Sequence, residues 1–449
     1  MGRGEMAMTA GAEARAAAEI IDRFSDEPAP FLSILHGIDE RFGYLPEGAL
    51  NAVAEALRIP IAELYGTVTF YHYWRLRKPA GQPPIQMCDG PACCLKGVDA
   101  LEEELPRARL PAKHSGRVER IPCPGRCDIG VPLFIGQDAF AGARPGTVAE
   151  IAPATSPLPP ETGLVECLFE GIRDGDRSVA GYRKRGGYEA LQPAVSAPET
   201  VLAELKESGL TGRGGAGFPT WAKWDAVRRE AADEKYIICN ADEGEPGCFK
   251  DRLLLDHDPQ AILEGMAAAG LVTGARTGII YLRYEYGHTL GTLEHAIAEA
   301  EREGLLGEDV QGSGRAFRVV VRRGAGAYIC GEETSLLSSL EGRHPFPRDK
   351  PPFPTTCGLF GMPTVINNVE TFAAVPPILR RGGAWYRGLG IGDRAGTRIF
   401  SVSGDNERPG NYELPVGTPL RELLEEHAGD APGGRGLKGV TMAGVSGGF

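Results

Sequence analysis

The stretch Thr211–Gly247 constrains this chain more than any other. It opens with a glycine loop, TGRGGAGFPTWAKW, and closes with an acidic loop, IICNADEGEPG. Gly212, Gly214, Gly215 and Gly217 fall within six positions, with Arg213 among them. Backbone without side chains can press against a flat or phosphorylated ligand and offer it N–H groups. The letters approach G-x-G-x-x-G, a fingerprint that follows a strand and opens a helix. Here the preceding VLAELKESGL reads as a helix. The loop is therefore expected to bind a nucleotide or flavin outside an ordinary Rossmann turn, the alternative being a flexible glycine turn.

With 449 residues, the chain has room for about three domains at roughly 150 residues each. A net charge of −12 argues against a nucleic-acid face, which needs clustered Lys and Arg. No run of about 18 apolar residues is present, so no membrane span is expected. The N-terminus has no continuous apolar h-region and reads as an amphipathic helix. A cytoplasmic location follows as the expectation. There, the ten cysteines are read as ligands, reactive thiols or small buried hydrophobes rather than disulfides.

Residues 10–78 carry apolar residues at helical spacing (Ile20, Ile21 and Phe24; Leu32, Leu35 and Ile38; Leu50, Val53 and Leu57), which predicts a helical bundle. The run Phe70, Tyr71, Tyr73, Trp74 is read as core. From 79 to 153 the order is strand, helix (Gly97–Glu104), strand, strand, which suggests a small thioredoxin-like α/β domain. ATSPLPPETG, 154–163, is the clearest linker, within a connecting segment 154–195. Two cysteine pairs, Cys88/Cys93 in CDGPAC and Cys123/Cys127 in CPGRC, stand about thirty residues apart. They can place four thiolates around one centre. Spacing alone admits tetrahedral zinc or an iron–sulfur cluster. Cys94 is read as a bystander.

C-x4-C followed by C-x3-C after a helical bundle resembles the thioredoxin-like [2Fe–2S] subunit of NADH dehydrogenases. The resemblance implies that Cys88, Cys93, Cys123 and Cys127 ligate the cluster. Further on, GLTGRGGAGFPTWAKW, CNADEGEPGCFKDRLLL, GAGAYICGEETSLLSSLEG and KPPFPTTCGLFGMPTVINNVET resemble, in order, the NADH-oxidising flavoprotein subunit of the same enzymes. The implied fold is α/β and multi-domain. It comprises the bundle and thioredoxin-like domain, a Rossmann-like FMN/NAD(H)-binding domain over 196–392, and the start of a ubiquitin-like β-grasp domain over 393–449. That last part is read as strand, strand, helix and a strand at GVTMAG. The family's C-x-x-C-x-x-C run for a [4Fe–4S] cluster is not among these cysteines, so the sequence is expected to be a fragment whose missing C-terminal part would hold that cluster.

Each motif also has a physical reading. Asp242, Glu243 and Glu245, otherwise a solvated loop, can accept hydrogen bonds from a flavin ring and ribose hydroxyls. VVVRRGAGAYICGEETSLLSS reads as strand, glycine turn, strand and a helix from about Glu332. Glu332 and Glu333 in its first turn would compete with an anion, so they are expected to meet sugar, nicotinamide or flavin atoms. Cys239 and Cys330 are read as core residues of apolar strands. Lys350 and Phe353 suit a pyrophosphate and an adenine face. Asn367 and Asn368 offer donors and acceptors.

By resemblance, the FMN site uses Gly212, Arg213, Gly214, Lys223, Asn240, Asp242, Glu243, Tyr328, Gly331, Glu332, Ile366, Asn367, Asn368 and Thr371, with Gly215 and Gly217 in the same loop. NADH is expected at Phe218, Glu245, Glu333, Lys350 and Phe353. Glu245 and Glu333, as nicotinamide-positioning groups, come nearest to catalytic roles. The chain departs from the family at Trp221, where glycine is common, and at Asp225 and Ala226, where an aromatic is expected.

The implied function is that of a diaphorase module, passing hydride between NAD(H) and FMN and single electrons to iron–sulfur clusters. The expected partners are iron–sulfur and catalytic subunits of a larger redox complex. Fusion of the two halves resembles the β subunit of soluble NAD-dependent formate dehydrogenases. The alternatives are the diaphorase subunit of NAD-reducing hydrogenases, a fused NADH-quinone oxidoreductase subunit, and a non-redox assembly subunit.

Overall fold

The computed structural model describes residues 3–136, 138–148, 151–444 and 447. Residues 445, 446, 448 and 449 of the expected 393–449 segment lie outside them. The chain begins with four helices, α1 (Arg3–Phe24), α2 (Phe31–Phe42), α3 (Glu47–Leu57) and α4 (Ile61–Phe70). Pro30, Pro46 and Pro60 stand at the N-caps of α2, α3 and α4, where a missing N–H and a fixed φ suit a helix start. The apolar stripes seen in the sequence are the buried faces: Leu32, Leu35 and Ile38 on α2, Leu50 and Val53 on α3, Leu64 and Val68 on α4.

A five-stranded mixed sheet follows, built from β1 (Ile85–Cys88), β2 (Val118–Ile121), β3 (Val131–Ile135), β4 (Asp138–Ala143) and β5 (Ala152–Pro153) in the order β2-β1-β3-β4-β5. β1 and β2 pair in parallel, with the helix Val98–Glu104 between them in the chain. The other pairs are antiparallel. This delivers Cys88 at the end of β1 and Cys123 just beyond β2, on adjacent strands.

The third layer is a parallel sheet of β6 (Tyr236–Ala241), β7 (Thr277–Leu282), β8 (Arg318–Arg323) and β9 (Thr364–Asn368), ordered β8-β7-β6-β9. Its strands read as near-continuous apolar runs because both faces are covered. Side chains alternate between two cores. Ile237, Cys239, Ala241, Ile280, Leu282 and Val365 face the helices of their own domain. Tyr236, Ile238, Ile279, Tyr281 and Ile366 face the other way, into a core shared with Leu32, Leu35, Ile38 and Leu50 of the N-terminal helices and with Leu336 and Leu337. The bundle thus closes one face of the sheet. At about 1.5–3 kcal/mol for each fully buried large aliphatic side chain, that shared core is a major stabilising element.

Two sequence expectations fail here. The second strand expected in GAGAYICG is instead a 3-10 turn, Tyr328–Gly331. The backbone before it is already used, since Tyr73 N–H and His72 N–H donate to Ala325 O (3.2 Å) and Gly326 O (3.1 Å). Cys330 is therefore buried in a turn, not in a strand. The C-terminal part has a hairpin, β10 (Thr397–Val402) with β11 (Gly410–Pro415), and a short helix Leu420–Glu422 that widens into a π turn, Leu423–Ala428. The strand expected at GVTMAG does not form among the described residues. Leu437 and Met442 stay exposed there, so no apolar face fixes a register. Among the described residues no helix is long and apolar enough to cross a membrane.

Candidate cofactor site at the sheet switch point

Strand order in the parallel sheet reverses between β6 and β9, and in such sheets ligands bind outside the carboxyl ends at that crevice. Asn240 and Asn368 are register partners there. Asn240 donates from Nδ2 to Gly331 O (2.9 Å) and accepts from Asp242 N–H (3.1 Å). Asn368 caps the helix Val369–Arg381 by accepting from Glu370 N–H (3.0 Å).

The glycine loop closes over the same crevice, although it precedes β6 in the chain. It joins the helix Pro198–Ser208 to the helix Thr220–Arg229. A bridge between Thr211 and Pro219 pinches its neck. Arg213 N–H donates to Thr371 Oγ1 (2.9 Å), and a Cβ on Gly214 would stand 3.1 Å from Asn368 Cβ. The loop is pressed onto the end of β9. Gly215 and Gly217 have φ of +132° and +66°, and a Cβ on either would meet nothing within 4 Å. Side chains there would fill the space the loop leaves open.

Several of the named residues spend their side chains on holding this frame. The Arg213 guanidinium turns away, donating to Tyr386 Oη (3.0 Å) and Thr397 O (3.1 Å). Asn367 Oδ1 accepts from Trp224 Nε1 (2.9 Å). Glu243 accepts from the N–H groups of Lys250 and Asp251 at a helix start (3.1 Å each) and from Tyr286 Oη (3.1 Å). The frame thus takes up part of the hydrogen-bonding capacity of these residues and of Thr371, whose Oγ1 accepts from Arg213 N–H.

Other named residues form a charged line along one side. Lys223 donates to Ile366 O (2.8 Å) and lies 3.6 Å from Glu333; burial lowers its pKa against the pull of Glu333. Glu333 also pairs with Lys350 (2.6 Å). Glu332 is the N-cap of the helix Glu333–Leu340 and accepts from Thr334 and Ser335 N–H (2.8 and 2.9 Å), so that helix end is filled by its own carboxylate. Tyr328 donates its hydroxyl to Glu245. The rings of Phe218, Tyr328 and Phe353 stand exposed. Asp242 is the odd group. Its Oδ2 is buried without a hydrogen-bond partner, and burial pushes its pKa to about 7. An unpartnered acceptor and an open glycine cradle at one crevice fit a flat ligand rich in N–H and hydroxyl groups.

Sequence reasoning missed a buried charge cluster beneath this crevice. Lys250 Nζ contacts Asp251 (2.6 Å), Glu370 (3.0 Å) and Asn368 Oδ1 (3.2 Å). Burial opposes its charge, but Asp251, Glu370 and Glu243 outweigh it and hold it well above its ordinary pKa. The signal was the triplet Lys250-Asp251-Arg252 directly before the apolar run Leu253–Leu255, in a helix whose residues up to Asp256 are all buried. Trp221, the departure at the loop, packs against the main core, with its ring 5.0 Å from Lys206 Nζ.

The four cysteines gather at the ends of β1 and β2, all buried and unpaired by disulfides. Gly90 N–H donates to Cys88 Sγ (3.3 Å) and Gly125 N–H to Cys123 Sγ (3.4 Å). Cys123 and Cys127 sulfurs are 3.4 Å apart. Hydrogen bonds from Cys127 and Cys88, with the N–H groups of Gly125 and Gly247, hold the Cys123 thiol far below its ordinary pKa. Among the described residues no three of these sulfurs lie within 4.8 Å of one another. They follow one another in a chain, Cys93–Cys88–Cys123–Cys127, a spread that fits a two-iron cluster better than one tetrahedral ion.

One loop serves both places. Gly247, two residues beyond Glu245, lies close enough to Cys123 and Cys127 for its backbone N–H to lower the pKa of both thiols. Arg283 donates to Glu243 O and to Cys123 O (2.9 Å). Phe249 is buried in the core of the cysteine-bearing domain.

Family models agree with this architecture. Residues 205–377 match the Nuo51 FMN-binding domain, 17–155 the thioredoxin-like [2Fe-2S] ferredoxin, and 399–446 the SLBB domain. The chain is an NAD-linked flavoprotein oxidoreductase of the diaphorase type, with FMN, NAD(H) and a [2Fe–2S] cluster as its cofactors. Over 95% of its length it is 36% identical to the alpha subunit of the NAD-reducing hydrogenase HoxS of Cupriavidus necator, spanning 74% of that protein, and it belongs to that family. An NADH-quinone oxidoreductase subunit of Rhizobium meliloti is 52% identical over 60% of this chain and 64% of its own length. A crystal structure of NAD+-reducing [NiFe]-hydrogenase in the air-oxidized state superposes with a TM-score of 0.74 at 32% identity, covering 89% of this chain and 70% of that one. By their names, these relatives are subunits or parts of larger enzymes.

Proposed function

We propose that this chain is the electron-input component of a soluble, cytoplasmic NAD-linked complex, with its cofactors held by the residues named above. The carrying observation is the Arg283 guanidinium, which donates both to Glu243 O in the acidic loop of the crevice and to Cys123 O in the cysteine loop. When bound, FMN exchanges hydride with the nicotinamide and single electrons with iron–sulfur centres. The chain supplies alignment. Asn240, Asn368 and the glycine loop cradle the flavin, and Lys223 orients it from the far side. Lys350 and the rings of Phe218 and Phe353 hold the nucleotide, while Glu245 and Glu333 position its nicotinamide end. Cys88, Cys93, Cys123 and Cys127 hold the irons. No protein nucleophile is required.

Similarity along nearly the whole chain to the alpha subunit of an NAD-reducing hydrogenase favours a hydrogen-linked complex. A formate-linked complex, with this chain as the β subunit, is the second reading and draws on the complete four-cysteine set. Metal analysis of the native complex separates them, since nickel supports the first and molybdenum the second. A gently purified protein without flavin absorbance in the blue would overturn both and leave the non-redox assembly role.

A further inference from the structure

Alternate carbonyls of the Cys123–Cys127 loop are each taken by a different cation. Arg283 Nη2 donates to Cys123 O (2.9 Å), Arg252 Nη1 to Gly125 O (3.0 Å) and Lys96 Nζ to Cys127 O (3.1 Å). The N–H of Gly125 turns the opposite way, to Cys123 Sγ. Three carbonyls of this loop are thus held by positive charge, while a separate peptide unit, Pro124–Gly125, turns its N–H to sulfur.

The three cations differ in origin. Lys96 follows the first cysteine pair, and no carboxylate lies within ion-pairing distance of it among the described residues. Arg252 and Arg283 come from the flavin half and are 1% and 4% exposed. Each forms one ion pair, with Asp128 (2.6 Å) and Glu285 (3.1 Å) respectively, and Asp256 and Asp242 act on them from further off, so part of their charge is offset. The orientation they impose on the carbonyls is not.

We propose that Lys96, Arg252 and Arg283 are positioning residues that raise the reduction potential of the [2Fe–2S] centre held by this loop. The inference rests on the assignment of the four cysteines as its ligands. Reduction adds a negative charge to an already anionic centre. Carbonyl oxygens aimed at it would oppose that charge, whereas N–H dipoles and nearby cations favour it, and burial leaves these fields little screened. Because two of the three cations belong to the flavin half, the potential becomes a property of the assembled chain.

The test is an EPR-monitored redox titration of the full, cofactor-loaded chain. Lys96→Met and Arg283→Met are each expected to shift the [2Fe–2S] midpoint to lower potential at unchanged iron content. Arg283→Lys, which keeps the charge, should recover part of the shift. Unchanged or raised midpoints in fully loaded Lys96→Met and Arg283→Met would overturn the proposal. Should Arg283→Met fail to load iron, Lys96→Met decides alone. Absence of any [2Fe–2S] signal from the unsubstituted protein would instead overturn the ligand assignment.

Discussion

Arg283 and Cys123, 160 residues apart in sequence, meet through a hydrogen bond of 2.9 Å from guanidinium to carbonyl. The same guanidinium holds the carbonyl of Glu243, so a single side chain spans the loop of the candidate nucleotide site and the loop of the candidate cluster. Neither loop is placed independently of the other.

If Cys88 is a cluster ligand, Cys88→Ser abolishes the low-temperature EPR signal of the reduced [2Fe–2S] centre. Its thiol is linked to those of Cys123 and Cys93, so an intact, unchanged signal in the variant would remove it from the ligand set.

Glu245→Gln tests the acidic loop. The carboxylate accepts from the exposed Tyr328 hydroxyl and has been assigned to the nicotinamide end. Losing one charge-assisted hydrogen bond of ~1.5–3 kcal/mol should lower kcat/KM for NADH with an artificial acceptor by about tenfold or more, with FMN retained. Kinetics equal to wild type would dismiss the assignment.

Lys223→Met should lower the flavin-to-protein ratio of the purified chain. The ammonium is held by Ile366 O and Glu333, at the strand whose end carries Asn367 and Asn368. Full flavin occupancy after extensive dialysis would show that Lys223 does not hold the cofactor.

Asp242 gives a pH prediction for the flavin-free protein. Burial raises its pKa to about 7, with Arg283 lowering and Glu285 raising it. A carboxylate with a raised folded-state pKa binds its proton more tightly folded than unfolded. Its contribution to stability is present below the ordinary carboxylate range and is lost as pH rises toward about 7. Asp258 and Glu413, raised by burial to about 6 and about 7, act with the same sign. Asp242→Asn should therefore flatten, without abolishing, the fall in Tm over that window. An identical pH profile in thermal denaturation would contradict the burial argument.

Leu337→Ala should cost about 2–5 kcal/mol, the usual range for emptying a buried leucine site. The residue is fully buried in the core shared by the sheet and the N-terminal helices. Denaturant titration measures it, and a loss below about 1 kcal/mol would mean that the shared core collapses around the gap.

Much of this was legible because the chemistry is local. Two cysteine pairs and a glycine run need only their own spacing to be recognised, and the helical stripes of Leu32, Leu35 and Ile38 report a buried face directly. The misfit of the glycine loop was informative too, since a loop between two helices cannot be a strand–turn–helix phosphate site. What spacing could not show was who covers what. Nothing in Ile238 or Ile279 says that they share a core with Leu35 and Leu50. Nor does GAGAYICG reveal that its carbonyls are claimed by His72 and Tyr73, which replaces a strand with a turn. Nor does the sequence show that Lys250 is buried among Asp251 and Glu370, because part of its compensation comes from a residue 120 positions away.

The N-terminal helices that close one face of the parallel sheet carry a kinetic consequence. Because residues 71–235 join them to β6 in one chain, the encounter is intramolecular and runs at an effective concentration set by that connection. Completion of the sheet is then independent of how much protein is present. Were that connection cut, the same event would become a second-order reaction, and dilution would begin to matter.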